Sequence, residues 1–123
     1  ESIYPYVKVE KNLKDVYKKL DKTAFKRVVS NLLGNAFKHN LPKNGWIKIY
    51  LDEEKLVIEN ASKPIKNPQK VFDRYYKEGQ RGLGLGLSIV KKLCDEMDCN
   101  INFHAFQNKV KTEIFFKNSS GGK

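Results

Sequence analysis

Two stretches of this 123-residue chain carry residue types suited to holding a phosphorylated ligand. The first is NLLGNAFKHN, residues 31–40. On a helical wheel of about 100° per residue, Val28, Val29, Leu32, Leu33, Ala36 and Phe37 fill one broad half. Asn31, Asn35 and Lys38 fall within roughly 60° beside that half. An amide oxygen is a hard donor that ligates Mg²⁺, and an ammonium one turn on offsets phosphate charge. A merely solvated helix flank is the ordinary alternative for the same three residues. Gly34, beside the pair, costs a helix about 1 kcal/mol relative to Ala and predicts a close approach at that point. The second stretch is GLGLGLSIVKKL, residues 82–93, in which Gly82, Gly84 and Gly86 lead directly into an amphipathic helix. Backbone N–H groups freed by glycine, with a helix N-terminus behind them, suit an anion. No Gly-Lys-Ser/Thr follows and no βαβ unit surrounds it, so neither a P-loop nor a dinucleotide fingerprint is present.

The elements that must position these stretches are legible from periodicity and punctuation. IYPYVKV, residues 3–9, reads as an edge strand because Pro5 would interrupt a central ladder. Residues 12–20 read as a connection or a second short strand. A helix capped by Asp21 or Thr23 is expected from about Ala24 to Asn40, stopped by Pro42 and Gly45. Strands 46–51 and 55–60 form a hairpin. Residues 63–81 read as a loop with at most one helical turn. A second helix is expected from about Leu83 to Met97, then a hairpin of strands 99–106 and 109–117. The order predicts an α+β two-layer sandwich, a mostly antiparallel mixed sheet with helices covering one face. Residues 1–117 form one domain and 118–123 a flexible tail.

Composition narrows the classes. Apolar residues make up 40% and charged residues 31%, which suits a globular fold. No apolar run approaches the roughly 20 residues of a membrane-spanning helix. The chain opens at Glu1 without Met, and reads as a piece of a longer protein whose other parts could lie in a membrane. The net charge of +10 favours an anionic ligand or partner, but the lysines are dispersed and form no nucleic-acid stripe. Two cysteines, Cys94 and Cys99, make neither a disulfide framework nor a zinc site, so a reducing compartment is expected. Cys94 shares a helical face with Leu87, Val90 and Met97 and reads as buried. Trp46, Tyr50, Phe103 and Phe115 read as core or sheet surface, and Phe72, Tyr75 and Tyr76 as anchors of the loop.

NLLGNAFKHN, VFDRYYK (71–77) and GLGLGLSIVKKL, in that order and spacing, resemble the ATP-binding catalytic domain of sensor histidine kinases. This is the Bergerat fold shared with Hsp90, MutL and gyrase B. The resemblance runs from about Asp21 to Phe116 and implies an N box, an F box and a second glycine box. It implies that Asn35 holds a Mg²⁺ bridging the ATP phosphates, with Asn31 its partner one turn earlier and Lys38 and His39 contacting phosphate and nucleoside. It implies that Arg74 reaches the γ-phosphate from a mobile lid, helped by Lys77 and Arg81. The lid edge Gly82, Leu83, Gly84, Leu85 and Gly86 meets the phosphates with its backbone.

The first glycine box is altered. In LVIENASKPI, residues 56–65, Asn60 stands where the family has an aspartate that accepts from the adenine amino group, and Ile65 follows it. Ser62 and Pro64 replace both box glycines. Asn60 still accepts through its amide oxygen but without charge, which predicts weaker binding or looser base selectivity.

Asn31 separates kinase from hydrolase. In the hydrolases of this fold a glutamate at that position activates water, and an amide takes up no proton near neutral pH. The expected function is therefore γ-phosphoryl transfer from Mg·ATP to a histidine on an adjoining phosphoacceptor domain, which passes it to a response regulator. The fragment is then the cytoplasmic part of a membrane-bound bacterial sensor, touching membrane only through absent parts and binding no nucleic acid. A non-catalytic nucleotide-sensing or scaffold module is the alternative, ahead of an ATPase of the same fold. Of the two histidines, His39 and His104, neither is expected to be the acceptor.

Overall fold

A computed structural model describes residues 7–73, 77–78, 83–84 and 86–116. The expected tail 118–123 lies outside them. The first strand, β1, spans Val7–Leu13 rather than 3–9. Residues 3–6 of the expected strand lie outside the described residues, and 14–20 form no strand. Helix α1 spans Lys22–Lys38, and Asp21 caps it by accepting from Ala24 N–H at 3.0 Å. It ends before the expected Asn40, whose Nδ2 donates to the Ala36 carbonyl at 2.9 Å and the Trp46 carbonyl at 3.0 Å. That side chain staples the helix end to strand β2, Gly45–Leu51.

Strand β3, Lys55–Ala61, returns from β2 through a turn built on Asp52. Its Oδ1 accepts from Glu54 and Lys55 N–H at 2.8 and 2.9 Å, and its Oδ2 from the Tyr50 hydroxyl at 2.7 Å. These bonds, the Tyr50 one foremost, hold the Asp52 carboxyl below the usual range. Their stabilising contribution is present at neutral pH and is lost as pH falls through the acid range.

The described residues of 63–81 hold one 3₁₀ turn at Pro68–Lys70 and then a two-residue strand β4, Lys77–Glu78. β4 pairs antiparallel with β5, Leu83–Gly84. The second helix, α2, spans Leu87–Glu96 and does not begin at Leu83 as expected. Gly82, Gly84 and Gly86 recur with the period of a strand, and Leu83–Gly84 takes that conformation. The helix can start only after Gly86, which sits in the left-handed region at φ 64°. β6, Asn100–Ala105, and β7, Lys109–Phe115, close the chain as a hairpin.

The main sheet has the order β1-β2-β3-β7-β6. β1 runs parallel to β2, and the remaining pairs are antiparallel. A parallel neighbour needs a long crossover, and α1 supplies it between β1 and β2. Both helices cover one face. Val28, Leu32 and Ala36 from α1 and Leu87, Val90 and Cys94 from α2 are buried with Ile47, Ile58 and Ile114 of the sheet.

α2 stops in a Schellman arrangement. Asp98 takes φ 60°, its N–H donates to the Asp95 carbonyl at 3.2 Å, and Cys99 N–H donates to the Cys94 carbonyl at 2.8 Å. Both cysteines of this cap are buried in the core. Burial, with Cys99 the next cause, pushes the Cys94 thiol up to about 12, so Cys94 serves as packing.

The opposite face is a charge ladder. Glu10, Lys48, Glu59, Lys111 and His104 occupy one row across five strands. Lys109 pairs with Glu59 at 2.7 Å, and Lys48, Lys55 and Lys109 lie over the rings of Trp46, Phe115 and Phe106. Part of the surplus positive charge is thus spent on sheet neighbours. Among the described residues no helix is long and apolar enough to cross a membrane.

Candidate active site

The α1 edge, the end of β3 and the start of α2 converge on one crevice. Asn35 and His39 from α1 line it with Ile58 and Asn60 of β3, Ser62 and Ile65 beyond that strand, and Leu87 of α2. Phe103, Val110 and Thr112 close it from β6 and β7. The sheet register explains the grouping. Ile58 and Asn60 are two apart on β3, so they share a face, and they pair with Thr112 and Val110. Asn60 and Thr112 are 5% and 7% exposed, the only buried polar side chains on described strands.

The crevice holds a cavity of about 20 Å³. That is space for about one water and too little for a purine ring. A larger ligand enters only if side chains move. Phe103 is placed to do so, because it packs edge-on against Phe72 with centroids 6.5 Å apart. Phe72 lies at the foot of the segment that leads to Arg74.

Asn31 stands at the other end of the site. A Cβ built on Gly86 would lie 3.2 Å from Asn31 Oδ1, so this amide abuts the N-terminus of α2. Gly86 offers no side-chain cap. With no side chain at the N-cap, the first-turn N–H groups of α2 are suited to an anion. Lys38 is exposed on the last turn of α1 and does not line the crevice. Lys77, Leu83 and Gly84 fall on the β4–β5 ribbon. Arg74, Arg81, Gly82 and Leu85 lie outside the described residues.

A Cβ built on Gly34 would meet nothing within 4 Å among the described residues, so packing among them does not require glycine there. Gly34→Ala should therefore stabilise the fold by about 1 kcal/mol through helix propensity alone, raising the urea midpoint. Destabilisation would mean that the open space is not what it is taken to be. Thr112, Ser62, Val110 and Phe103 were not singled out for the site. Thr112 has no local motif, and only the pairing of β7 with β3 brings it to Asn60.

Comparison with known proteins decides the family. Residues 20–120 match the family described as histidine kinase-, DNA gyrase B-, and HSP90-like ATPase. The chain belongs to this family. It is 30% identical over 116 residues to the sensor histidine kinase WalK of Bacillus subtilis, covering 83% of this chain and 19% of that protein. It is 38% identical over 85 residues to the sensor histidine kinase YvrG of the same organism, covering 60% of this chain and 14% of that protein. The chain thus spans less than a fifth of the length of these relatives.

The catalytic domain of histidine kinase ThkA, in a nucleotide-free form, superposes with a TM-score of 0.72 at 26% identity. The match covers 90% of this chain and 80% of that one. The mycobacterial sensor histidine kinase MprB, at 23% identity and a TM-score of 0.74 over 92% of this chain and 84% of that one, shares the fold. The α+β sandwich is therefore that of an ATP-binding histidine kinase catalytic domain, a member of the two-component signalling family.

For this kinase family's ligands the donor chemistry is suitable. Among the described residues no cluster of three His, Cys, Asp or Glu exists to cage a cation. A magnesium ion here would have neutral amides as its protein donors, which suits an ion that keeps waters and takes phosphate oxygens.

Proposed function

We propose that the domain binds Mg·ATP in this crevice and donates the γ-phosphoryl group to a histidine of an adjoining domain of its parent kinase. That histidine would then pass the group to an aspartate of a response regulator. The observation that carries the reading is that Asn35 and Asn60 line one crevice with Leu87 of α2, while Asn31 lies against Gly86 at the N-terminus of that helix. Asn35 would hold the Mg²⁺, which when bound offsets phosphate charge during transfer. Lys38, Arg74, Lys77 and Arg81 would add positive charge around the triphosphate, and His39 would border the nucleoside. The backbone of 82–86 and the α2 N-terminus would face the phosphates. Asn60 and Ile65 would meet the base, with Thr112 beside them.

Transfer breaks the bond from the γ-phosphorus to the bridging oxygen and forms one to an imidazole nitrogen, releasing ADP and a proton. Phosphoryl transfer asks the protein mainly for positioning and charge stabilisation. Asn31 supplies no base for water, so transfer to an external nucleophile is favoured over hydrolysis. Because Phe103 packs on Phe72, opening the crevice to a base would be linked to movement of Phe72. The parent would be a membrane sensor with this domain on the cytoplasmic side.

Incubated with the phosphoacceptor domain of its parent and γ-labelled ATP, the protein should produce an acid-labile phosphohistidine. The second reading, a nucleotide-sensing or scaffold module, draws on the closed 20 Å³ cavity and the uncharged Asn60. Calorimetry separates the two. No heat at millimolar Mg·ATP would favour the scaffold, and binding without label transfer would favour the sensor.

A further inference from the structure

The end of the domain away from the crevice carries an apolar hollow rimmed by lysines. Two recesses of about 380 and 260 Å³ meet there and share Lys18, Leu20 and Phe116. Tyr17, Lys19, Met97 and Asp98 complete the first, and Val16, Lys22, Phe25 and Leu51 the second. Phe25 and Phe116 pack with ring centroids 6.1 Å apart, and Lys18 Nζ lies 5.9 Å from the centroid of Phe116. Tyr17 is 90% exposed, and Leu13 at the end of β1 is 54% exposed. The crevice draws on Asn35 and His39 of α1 and Leu87 of α2, whereas the hollow draws on the other ends of both helices. Thirteen residues of α1 separate Lys22 from Asn35, about 20 Å at 1.5 Å per residue.

Helix stability does not account for the charge on this rim. Lys22 is the first residue of α1, and the first turn holds no acid. A cation there opposes the helix dipole, which favours anions at that end. Lys14, Lys18, Lys19 and Lys22 form no salt bridge with a described residue, whereas Lys91, Lys109 and Lys111 each face a carboxylate. Among the described residues, Asp98 is the only carboxylate lining either recess.

We propose that this hollow docks an acidic segment of a partner protein, which seats a bulky apolar side chain in each recess and sets carboxylates against the lysine rim. Charge complementarity selects this occupant. A second copy of the chain carries a net charge of +10 and would be repelled. The last residues, KNSSGGK, add two lysines and no apolar side chain. A bilayer presents a plane, which would meet Tyr17 but not the half-buried Leu20 and Phe25. Buried apolar anchors supply affinity, while charges on the rim steer and select the partner. Docking at this end leaves the crevice open and does not depend on nucleotide binding.

The test is fluorescence anisotropy of the 123-residue chain with dye-labelled decapeptides of glutamate in which two leucines stand two, three or four positions apart. At least one spacing should bind saturably, and replacing its leucines by serine should weaken binding at least about tenfold. Lys19→Glu combined with Lys22→Glu should weaken it by about tenfold and flatten its salt dependence. Glutamate at the first helical position suits the dipole, so the thermal midpoint of this variant should hold. Binding of no peptide at millimolar concentration would overturn the docking site. Equal binding of the serine peptide would reduce the contact to charge alone and overturn it too. Unchanged affinity in the double variant, or competition by Mg·ATP, would place the peptide elsewhere. Sedimentation with phosphatidylserine vesicles, lost in the double variant and without peptide binding, would give the surface to a membrane instead. If the variant fails to fold, chemical-shift changes at Leu20, Phe25 and Phe116 of the native chain on adding the peptide decide the location, and their absence overturns it.

Discussion

Asn35→Ala should cut phosphoryl transfer to the acceptor histidine by at least about a hundredfold, the usual scale for deleting one group that stabilises developing charge. Asn35 sits one turn beyond Asn31 on α1 and lines the crevice beside His39 and Asn60. With no acidic or histidine cluster among the described residues to take its place, its amide oxygen has no obvious substitute as a cation anchor. The helix itself should tolerate the change. α1 is held by Val28, Leu32 and Ala36, which are at most 4% exposed, and alanine is the better helix former. The packing of α1 should therefore survive while activity falls. Asn35→Asp, which keeps an oxygen in place, should retain more activity than the alanine variant. Labelling rates with both variants, at saturating magnesium, make the comparison. Full labelling in Asn35→Ala would end the role assigned to it.

Where each residue's neighbours lie close in sequence, its place was legible in advance. The α1 stripe of Val28, Leu32 and Ala36 follows from a period of 3.6, and the β2–β3 and β6–β7 hairpins follow from short polar links between β-branched runs. Legibility failed where tertiary pairing decides. The first strand lies at Val7–Leu13 because it must align beside Gly45–Leu51. That edge carries little alternation to read, since six of its seven residues are exposed. Its parallel direction depends on the α1 crossover and has no local signature.

The site divides in the same way. Asn31 and Asn35 are visible as two amides four apart, whereas Thr112 enters only through its pairing with Ile58, more than 50 residues earlier. Asn60 raised the question of which way its amide turns. The answer lies in the Ala61 carbonyl, which accepts from Asn60 Nδ2 at 2.8 Å, a backbone group that residue types alone do not orient. The start of α2 was misplaced because leucine between glycines suits a helix or a strand equally. The left-handed Gly86 settles that choice.

Gly86→Ala should lower stability by about 1–2 kcal/mol, the cost of a left-handed conformation for a residue with a Cβ. Two separable causes act there. The backbone holds φ at 64°, and the new Cβ would stand 3.2 Å from Asn31 Oδ1. The contact is with a side chain able to give by a few tenths of an ångström, so the dihedral should dominate. Adding Asn31→Ala removes the contact and leaves the dihedral, and the double variant should recover only a minor part of the loss in urea unfolding. Nearly full recovery would make the Asn31 contact the main cause. Gly86→Asn, which tolerates the left-handed region better than alanine, should be milder in backbone cost. Nucleotide affinity should fall further in Gly86→Ala than stability alone accounts for, because any shift of residue 86 re-aims the first N–H groups of α2. An α2 that simply starts one residue later, with stability and affinity both unchanged, would show that Gly86 is dispensable to the junction between the amide edge of α1 and the N-terminal end of α2.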